Sequence, residues 1–477
     1  MNDNPGETKA KILGELQAGR ISGPYSTPPF EVFKSCPLAL RPKPNGKFRL
    51  LHNLSYPFNE DSVNGMIPES CAKVSYASIA DAINLIKKDP GCFLAKCDIA
   101  DAFRLVPISP LDYHLLGFSF EGEYYFDRCL PMGCRSACNI FEKVSDGLVF
   151  ILKERFGVVK VVKYLDDFLF VGKNRECCAR SLRTFQALCK ELGIPLAEHK
   201  TEGPTRALDF LGYHLDTRAM IVSIPKEKID DYSLCVWQMM EAKVTTLREL
   251  RSIIGKLLFV TNIIRGGKCF LRRLINLTIG KHHPAQRITL SSETLEDLKL
   301  WQKFLLQYNG ESLICKNRFI SSKHYHFFTD SCPLGFAGTF QGDFIQGLFP
   351  SSWKKYSIQF LELYPIFVMT HMFIKEMENS TVCFFCDNEA IVTIINKMSS
   401  KNNLIMRLLR PMVLLLMKHN VVFYSKHVEG KLNVVADKLS RYQVSKEFLR
   451  NQGMATYPTP LPNWIRPQNL RSMPLSL

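Results

Sequence analysis

Acids standing at the ends of apolar runs are the side chains of this sequence best placed to do chemistry. Phe93-Leu94-Ala95-Lys96-Cys97-Asp98-Ile99-Ala100-Asp101-Ala102-Phe103 is an apolar run that reaches a carboxylate, which predicts Asp98 at the end of a buried strand. Further on, Val161-Val162-Lys163-Tyr164-Leu165-Asp166-Asp167-Phe168-Leu169-Phe170-Val171 sets two acids between β-branched and aromatic runs. That pattern predicts a hairpin with Asp166 and Asp167 at its tip. Adjacent anions between apolar strands repel one another unless cations join them. Two magnesium ions ~4 Å apart would offset that cost, activate a 3′-hydroxyl and stabilise a pyrophosphate leaving group. Taken alone, an Asp-Asp pair is more often just a solvated turn.

A second set of acids follows nearer the C-terminus. Asp330 ends the strand-like run His326-Phe327-Phe328-Thr329, and Glu362 heads an apolar helix in Phe360-Leu361-Glu362-Leu363-Tyr364. Asp387 ends Val382-Cys383-Phe384-Phe385-Cys386, and Asp437 lies in Asn433-Val434-Val435-Ala436-Asp437-Lys438-Leu439-Ser440-Arg441. Strand-end acids and one helical acid can converge on one side of a sheet as a two-metal site that hydrolyses a phosphodiester. Singly, each has a plainer use: Asp330 could start a turn, Glu362 decorate a first helical turn, Asp387 cap a helix. Cys383 and Cys386 form a C-x-x-C within an apolar strand, with no second pair nearby at zinc spacing, so packing accounts for them better than metal.

The elements that must position these acids differ in texture along the chain. Residues 1–225 alternate short apolar strands with helices. Residues 226–320 read as helical and basic: Thr246-Leu247-Arg248-Glu249 is a capping-box pattern, followed by Leu247, Leu250, Ile254, Leu257 and Leu258 at helical spacing. Arg265, Lys268, Arg272 and Arg273 come next, around Gly266 and Gly267. A new strand-like run opens at Tyr325, and residues 442–477 are proline-rich and aperiodic, predicting a loose tail. The 477 residues carry 61 Lys and Arg against 45 Asp and Glu, a net charge of +16 that suits a polyanionic partner and serves solubility equally well. No stretch approaches the ~18 consecutive apolar residues of a membrane span, since Pro411–Met417 is closed by Arg410 and Lys418. With no apolar signal region over Met1–Leu16, the expected setting is intracellular, cytoplasmic or nuclear, with the sixteen cysteines reduced.

The first set resembles the motifs of reverse transcriptases. Tyr164-Leu165-Asp166-Asp167 is similar to their Y-x-D-D signature, and Asp98–Phe103 to their motif A. The resemblance implies that Asp98, Asp166 and Asp167 bind two Mg2+ ions, with Mn2+ as a substitute. It places Phe103 at the aromatic gate that collides with a ribose 2′-hydroxyl, an ordinary core aromatic being the lesser alternative. Leu130-Pro131-Met132-Gly133 resembles the L-P-x-G of motif B, with Met132 where retroviral enzymes carry Gln, and Phe210-Leu211-Gly212-Tyr213 resembles the primer-grip turn. Lys200 falls at the motif D position, implying a proton donor to pyrophosphate. Lys43-Pro44-Asn45-Gly46-Lys47-Phe48-Arg49 looks like the fingers hairpin, in which Lys47 or Lys43 and Arg49 would clamp the triphosphate.

The second set resembles the acidic quartet of RNase H, Asp330, Glu362, Asp387 and Asp437 falling in family order, with His427 matching the mobile histidine that aids product release. Together the resemblances imply an α+β right-hand polymerase (fingers, palm, thumb) followed by an α/β RNase H-like domain. The expected division is an N-terminal extension at 1–35, fingers and palm at 36–225, a helical, basic thumb and connection at 226–320, an RNase H-like domain at 321–441 and a tail at 442–477. The order is that of retroviruses and retrotransposons. Gly23-Pro24-Tyr25, Phe48-Arg49-Leu50-Leu51-His52-Asn53-Leu54-Ser55 and Leu271-Arg272-Arg273-Leu274 look most like the tyrosine-recombinase retrotransposons of the DIRS group.

The partners so implied are an RNA template, a DNA primer, an RNA–DNA hybrid and dNTPs, with no membrane. No Asp-Thr-Gly or Asp-Ser-Gly and no H-x-x-R occurs, so protease and recombinase or integrase are expected from other chains or polyprotein segments. Two alternatives stand beside this reading. A non-catalytic nucleic-acid-binding relic predicts loss of a metal ligand, and a maturase or non-LTR polymerase predicts no second acidic set.

Overall fold

The strand that carries Asp98, Phe93–Asp98, lies inside a four-stranded antiparallel sheet in the order Val161–Tyr164, Asp167–Gly172, Phe93–Asp98, Glu202–Thr205. Its neighbour Asp167–Gly172 is apolar at every position from Phe168 to Val171 and buried throughout that run, as a strand covered on both faces must be. Helices Ala137–Phe156 and Arg175–Glu191 supply Phe141, Leu148, Leu152, Leu182, Phe185 and Leu188 to that core. Each such side chain, fully buried, contributes about 1.5–3 kcal/mol. Asn174 starts the second helix by accepting the Cys177 N–H (2.8 Å), and Gly157, at φ +67°, ends the first.

The structure, a computed structural model, describes residues 4–42, 46, 48–307, 312–313 and 324–472. The chain forms two compact units, Met1–Met220 and Ile221–Leu477.

In the first unit the hairpin Leu38–Pro42/Phe48–His52 stands beside a three-stranded sheet ordered Ile21–Tyr25, Glu123–Asp127, Gly117–Phe120. His52 joins them: its buried ring lies 2.9 Å from Asp127 Oδ2 and 3.0 Å from the Gly117 carbonyl. Burial works against charge on His52, but hydrogen bonds with Asp127 and then Cys36, followed by the Asp127 charge, outweigh it and push the imidazole up to about 9. Asp127 also accepts Arg104 (2.7 Å), and Arg104 reaches Glu15 (2.9 Å) on helix Pro5–Gln17. Residues 1–35, expected as an extension, thus contribute a helix and a paired strand to this unit. The Phe210–Tyr213 turn closes the hairpin Ala207–Phe210/Tyr213–Asp216, with Leu211 and Gly212 both at positive φ, the geometry of a tight two-residue connection.

In the second unit the capping box forms as expected. Glu249 N–H donates to Thr246 Oγ1 (3.3 Å) and Thr246 N–H to Glu249 (2.9 Å), opening helix Leu247–Val260. Its buried face is Leu247, Leu250, Ile253, Leu257 and Val260. Leu258, expected on that face, is half exposed, because it lies one residue, ~100° of helix, beyond Leu257.

Residues 324–427 form a five-stranded sheet ordered Asp343–Leu348, Gly335–Phe340, His324–Ser331, Thr381–Cys386, Val422–His427. The first three pair antiparallel and the last three parallel. Helix Ile358–Met372 is buried from Phe360 to Thr370. Pro365 inside it has no N–H for the Leu361 carbonyl, and Ser331 Oγ donates to that carbonyl instead (2.8 Å).

Where a loose tail is expected, the described part of 442–472 packs against this unit. Leu449 of helix Lys446–Asn451 joins Ala337, Phe344 and Leu439 in one core, and the Tyr364 hydroxyl donates to the carbonyl of fully buried Ile465. A few anchor residues hold the segment, which is why it shows no periodicity.

Candidate active sites: two acidic clusters

In the first unit, strand pairing sets Asp98 directly opposite Asp167. Leu165 and Asp166 form the two-residue turn between the paired residues Tyr164 and Asp167, Leu165 at φ +54°. The Asp166 carbonyl accepts the Ile99 N–H (3.0 Å), fixing the turn over the end of the Asp98 strand. Three carboxylates therefore share one place. Burial, then hydrogen bonding and charge from Asp98, then the charge of Asp166 push Asp167 up to about 7; Asp166 is raised as well, by burial first.

Lys200 Nζ lies 2.9 and 2.8 Å from the two oxygens of Asp98. It brings one positive charge to three acids. The Arg49 guanidinium is near enough for its charge to act on Asp166. Lys47 and Lys43 lie outside the described residues.

Phe103 follows Asp101, which is at φ +50°, on the single turn Ala102–Leu105; it is partly buried, its ring edge-on to Phe141 at 6.0 Å. The Met132 carbonyl accepts the His52 N–H (2.8 Å). Its neighbour Gly133 has no room for a side chain, since a Cβ would lie 1.9 Å from the His52 carbonyl oxygen, and φ is +125°. The L-P-x-G run is therefore the seam between the hairpin and helix Ala137–Phe156.

In the second unit, the parallel pairing of His324–Ser331 with Thr381–Cys386 brings Asp330 and Asp387 to the same edge of the sheet. Glu362 reaches them from helix Ile358–Met372, and Asp437 from helix Val434–Ser440. Burial first, then the charges of Asp330 and Asp387, push Glu362 up to about 9. Asp330 is pushed up to about 6 by burial, against a hydrogen bond from Ser440, with Asp387 and Asp437 adding repulsion. His427 ends the next parallel strand opposite Cys386, and its Nε2 donates to the Asp387 carbonyl (3.1 Å). The structure thus brings together all four acids and His427.

Three further side chains belong to this cluster: Ser440 and Arg441, which sequence did not single out, and Cys386, which it assigned to strand packing. Ser440 Oγ donates to Asp330 Oδ2 (2.5 Å), Arg441 Nε to Asp437 Oδ1 (2.7 Å), and Cys386 Sγ lies 3.9 Å from Glu362 Oε2. Glu362, Cys386 and Asp387 present ligand atoms within 4.8 Å of one another. The signal for Ser440 was its place one helical turn after Asp437, and for Cys386 its place directly before Asp387. The donor chemistry of both clusters suits a divalent cation, since their repulsion is the state a cation relieves and carboxylate oxygens suit Mg2+ or Mn2+, but among the described residues only Glu362, Cys386 and Asp387 already stand within mutual ligand reach.

The family model described as "Reverse transcriptase (RNA-dependent DNA polymerase)" matches residues 41–215, which span the hairpin, the first acidic cluster and the Phe210–Tyr213 turn. That segment is similar to reverse transcriptases of the retroviral and retrotransposon Pol type. The chain is similar to the Gag-Pro-Pol polyprotein of Human T-cell leukemia virus 3, 25% identical over 288 residues, covering 58% of this chain and 18% of that protein. It is also similar to the retrovirus-related Pol polyprotein from transposon opus of Drosophila melanogaster, 24% identical over 337 residues, covering 68% of this chain and 30% of the relative. The chain therefore spans under a third of either relative's length.

The reverse transcriptase fold extends beyond the matched segment. The foamy viral protease-reverse transcriptase solved with an RNA/DNA hybrid aligns with 89% of this chain and 54% of its own, at a TM-score of 0.51 and 15% identity. The form lettered dRH, solved with double-stranded DNA, covers 88% of this chain and 69% of its own, at 0.53 and 17%. The likeness shows an α+β polymerase fold. Among the described residues no helix is long and apolar enough to cross a membrane.

Proposed function

We propose that this chain synthesises DNA on RNA and DNA templates at the first acidic cluster and cleaves the RNA strand of the resulting hybrid at the second. The observation that carries the reading is that two separate sets of mutually repelling carboxylates, in separate folded units, each gather at strand ends. In this reading residues 36–225 are fingers and palm, 226–320 thumb and connection, and 321–441 the RNase H-like domain. The finer kinship is with DIRS-group elements, and the setting is intracellular.

Asp98, Asp166 and Asp167 would hold two Mg2+ ions, which supply charge for activating a primer 3′-hydroxyl and for the departing pyrophosphate. Lys200, bound to Asp98 without metal, is freed to give its proton to the pyrophosphate. Arg49, with Lys47, clamps the triphosphate, Phe103 closes the space a 2′-hydroxyl needs, and Met132 packs beneath the incoming base pair. At the second cluster Asp330, Glu362, Asp387 and Asp437 would hold the ions, Ser440 orients Asp330, and His427 aids departure of the cut strand. The hybrid is selected by its A-like shape and its 2′-hydroxyls. A non-catalytic relic predicts a missing ligand, yet every carboxylate of both sets is in place.

The test is primer extension on poly(rA) and on a DNA template with Mg2+. The wild type extends on both, and Asp98→Asn or Asp166→Asn abolishes incorporation while hybrid cleavage persists. Robust synthesis by the Asp166 variant would overturn the assignment.

A further inference from the structure

In the second unit a cavity of about 770 Å³ opens between three helices and belongs to neither acidic cluster. Its walls are helix Arg272–Asn276, helix Ser292–Gln307 and helix Asn403–Lys418. Six basic side chains line it (Arg272, Arg273, Lys299, Lys303, Arg407, Arg410) against three acids. On the floor, fully buried Asp297 is shared by two guanidinium groups: its Oδ1 accepts Arg273 Nη1 (3.2 Å) and also meets Arg410 Nη2. Among the described residues, Asp297 Oδ2 and the buried Nε of Arg272 have no hydrogen-bond partner. Among the described residues no ion pair reaches Arg272, Lys299, Lys303 or Arg407. Like charges gathered in a concave, partly desolvated place cost free energy that a multivalent anion relieves, and arginine forks match phosphate oxygens.

The rest of the lining limits the anion's size and kind. A cavity of this volume is in the range that holds a small molecule, whereas a nucleic-acid duplex is too wide to enter. Leu277, Leu300, Met406 and Pro411 offer apolar surface for a base or sugar, and Asn276 and Asn403 offer amides for its edges.

We propose that this cavity is a nucleotide-phosphate site, taking either a free nucleoside triphosphate or the 5′-phosphorylated end of a single strand. It is distinct from the polymerising and cleaving sites and needs no divalent metal, because arginine and lysine supply the charge.

The test is equilibrium binding to the full chain in EDTA, which removes metal-dependent binding at the acidic clusters. The probes are ATP, inorganic triphosphate, and a short oligo(dT) with either a 5′-phosphate or a 5′-hydroxyl. Saturable binding with one site per chain is expected. Charge reversal at the exposed wall, Lys303→Glu with Arg407→Glu, should weaken it by roughly tenfold or more, whereas exposed Lys401→Glu stays within about twofold. Competition by ATP and triphosphate marks the free nucleotide as the source, and preference for the phosphorylated oligonucleotide over its hydroxyl twin marks the strand end. A milder variant, Arg407→Ala, serves if the double reversal melts early. Equal loss on Lys401→Glu, or no saturation up to about 5 mM ATP, overturns the proposal.

Discussion

Asp330 and Glu362 differ from ordinary surface acids in one measurable respect: their folded surroundings hold protons that water would take. With Glu362 pushed up to about 9 and Asp330 to about 6, the metal-free cluster keeps at least one proton at neutral pH. Both shifts are upward, so the folded, metal-free state binds more protons than the unfolded chain, and rising pH destabilises it until about pH 9. Divalent binding reverses that, because a metal displaces the protons. Mg2+ or Mn2+ should therefore bind the Asp98→Asn/Asp166→Asn chain with release of about one proton at pH 7, and more tightly as pH rises toward 9. Calorimetry in two buffers of different ionisation enthalpy measures this, and binding without proton release would contradict the shared, repelling cluster. Phe103 carries a second prediction. As a gate, Phe103→Ala should raise rNTP use relative to dNTP by roughly tenfold or more with DNA synthesis retained. An unchanged ratio in competitive primer extension would make Phe103 only a neighbour of Phe141. Asp98, Asp330 and Asp387 were legible because each ends an apolar run, and Glu362 because it stands at the head of an apolar helix. Ser440, Arg441 and Cys386 were not, because strand pairing and helix packing alone bring them to the acids.

At the scale of elements, the hairpin Phe48–His52 owes its attachment to a buried histidine. His52 rises from 6.5 to about 9 on folding, so its contribution to stability is full below pH 6.5 and lost as pH rises through 9. The amount at stake is on the order of 3 kcal/mol. Hydrogen-exchange protection of the Phe48–His52 and Gly117–Phe120 amides should fall between pH 6.5 and 9.5, and Asp127→Asn should flatten that dependence by removing the partner. A flat profile in the wild type would show that His52 is neutral. None of this was legible: His52 reads as one polar residue after apolar Leu50 and Leu51, and Asp127 meets it only once two sheets are folded. The strands of both acidic clusters and the capped helix at Leu247 were legible, because alternation, apolar runs and capping boxes are local signals. The tail at 442–472 was misread for the converse reason, since single anchors such as Leu449 and Ile465 leave no periodic trace.

The whole molecule joins two folded units, each with its own acids, and a net charge of +16 that suits a polyanionic substrate. The order of the two acidic sets was legible from motifs alone. The basic cavity was not, because its lining comes from three helices distant in sequence. If each unit carries its own chemistry, the two activities should separate by single substitutions. The direct measurement follows a labelled RNA annealed to DNA, and primer extension on RNA, in the same preparations of the full chain. Asp387→Asn should lower hybrid cleavage by several orders of magnitude, since a neutral amide stabilises metal charge poorly, while first-strand synthesis persists. His427→Ala should slow repeated turnover more than a single cut. Asp166→Asn should show the opposite loss, with cleavage kept and synthesis gone, and an RNA–RNA duplex should stay intact throughout. Undiminished hybrid cleavage by Asp387→Asn, or working synthesis beside no cleavage in the wild type, would contradict the two-site account.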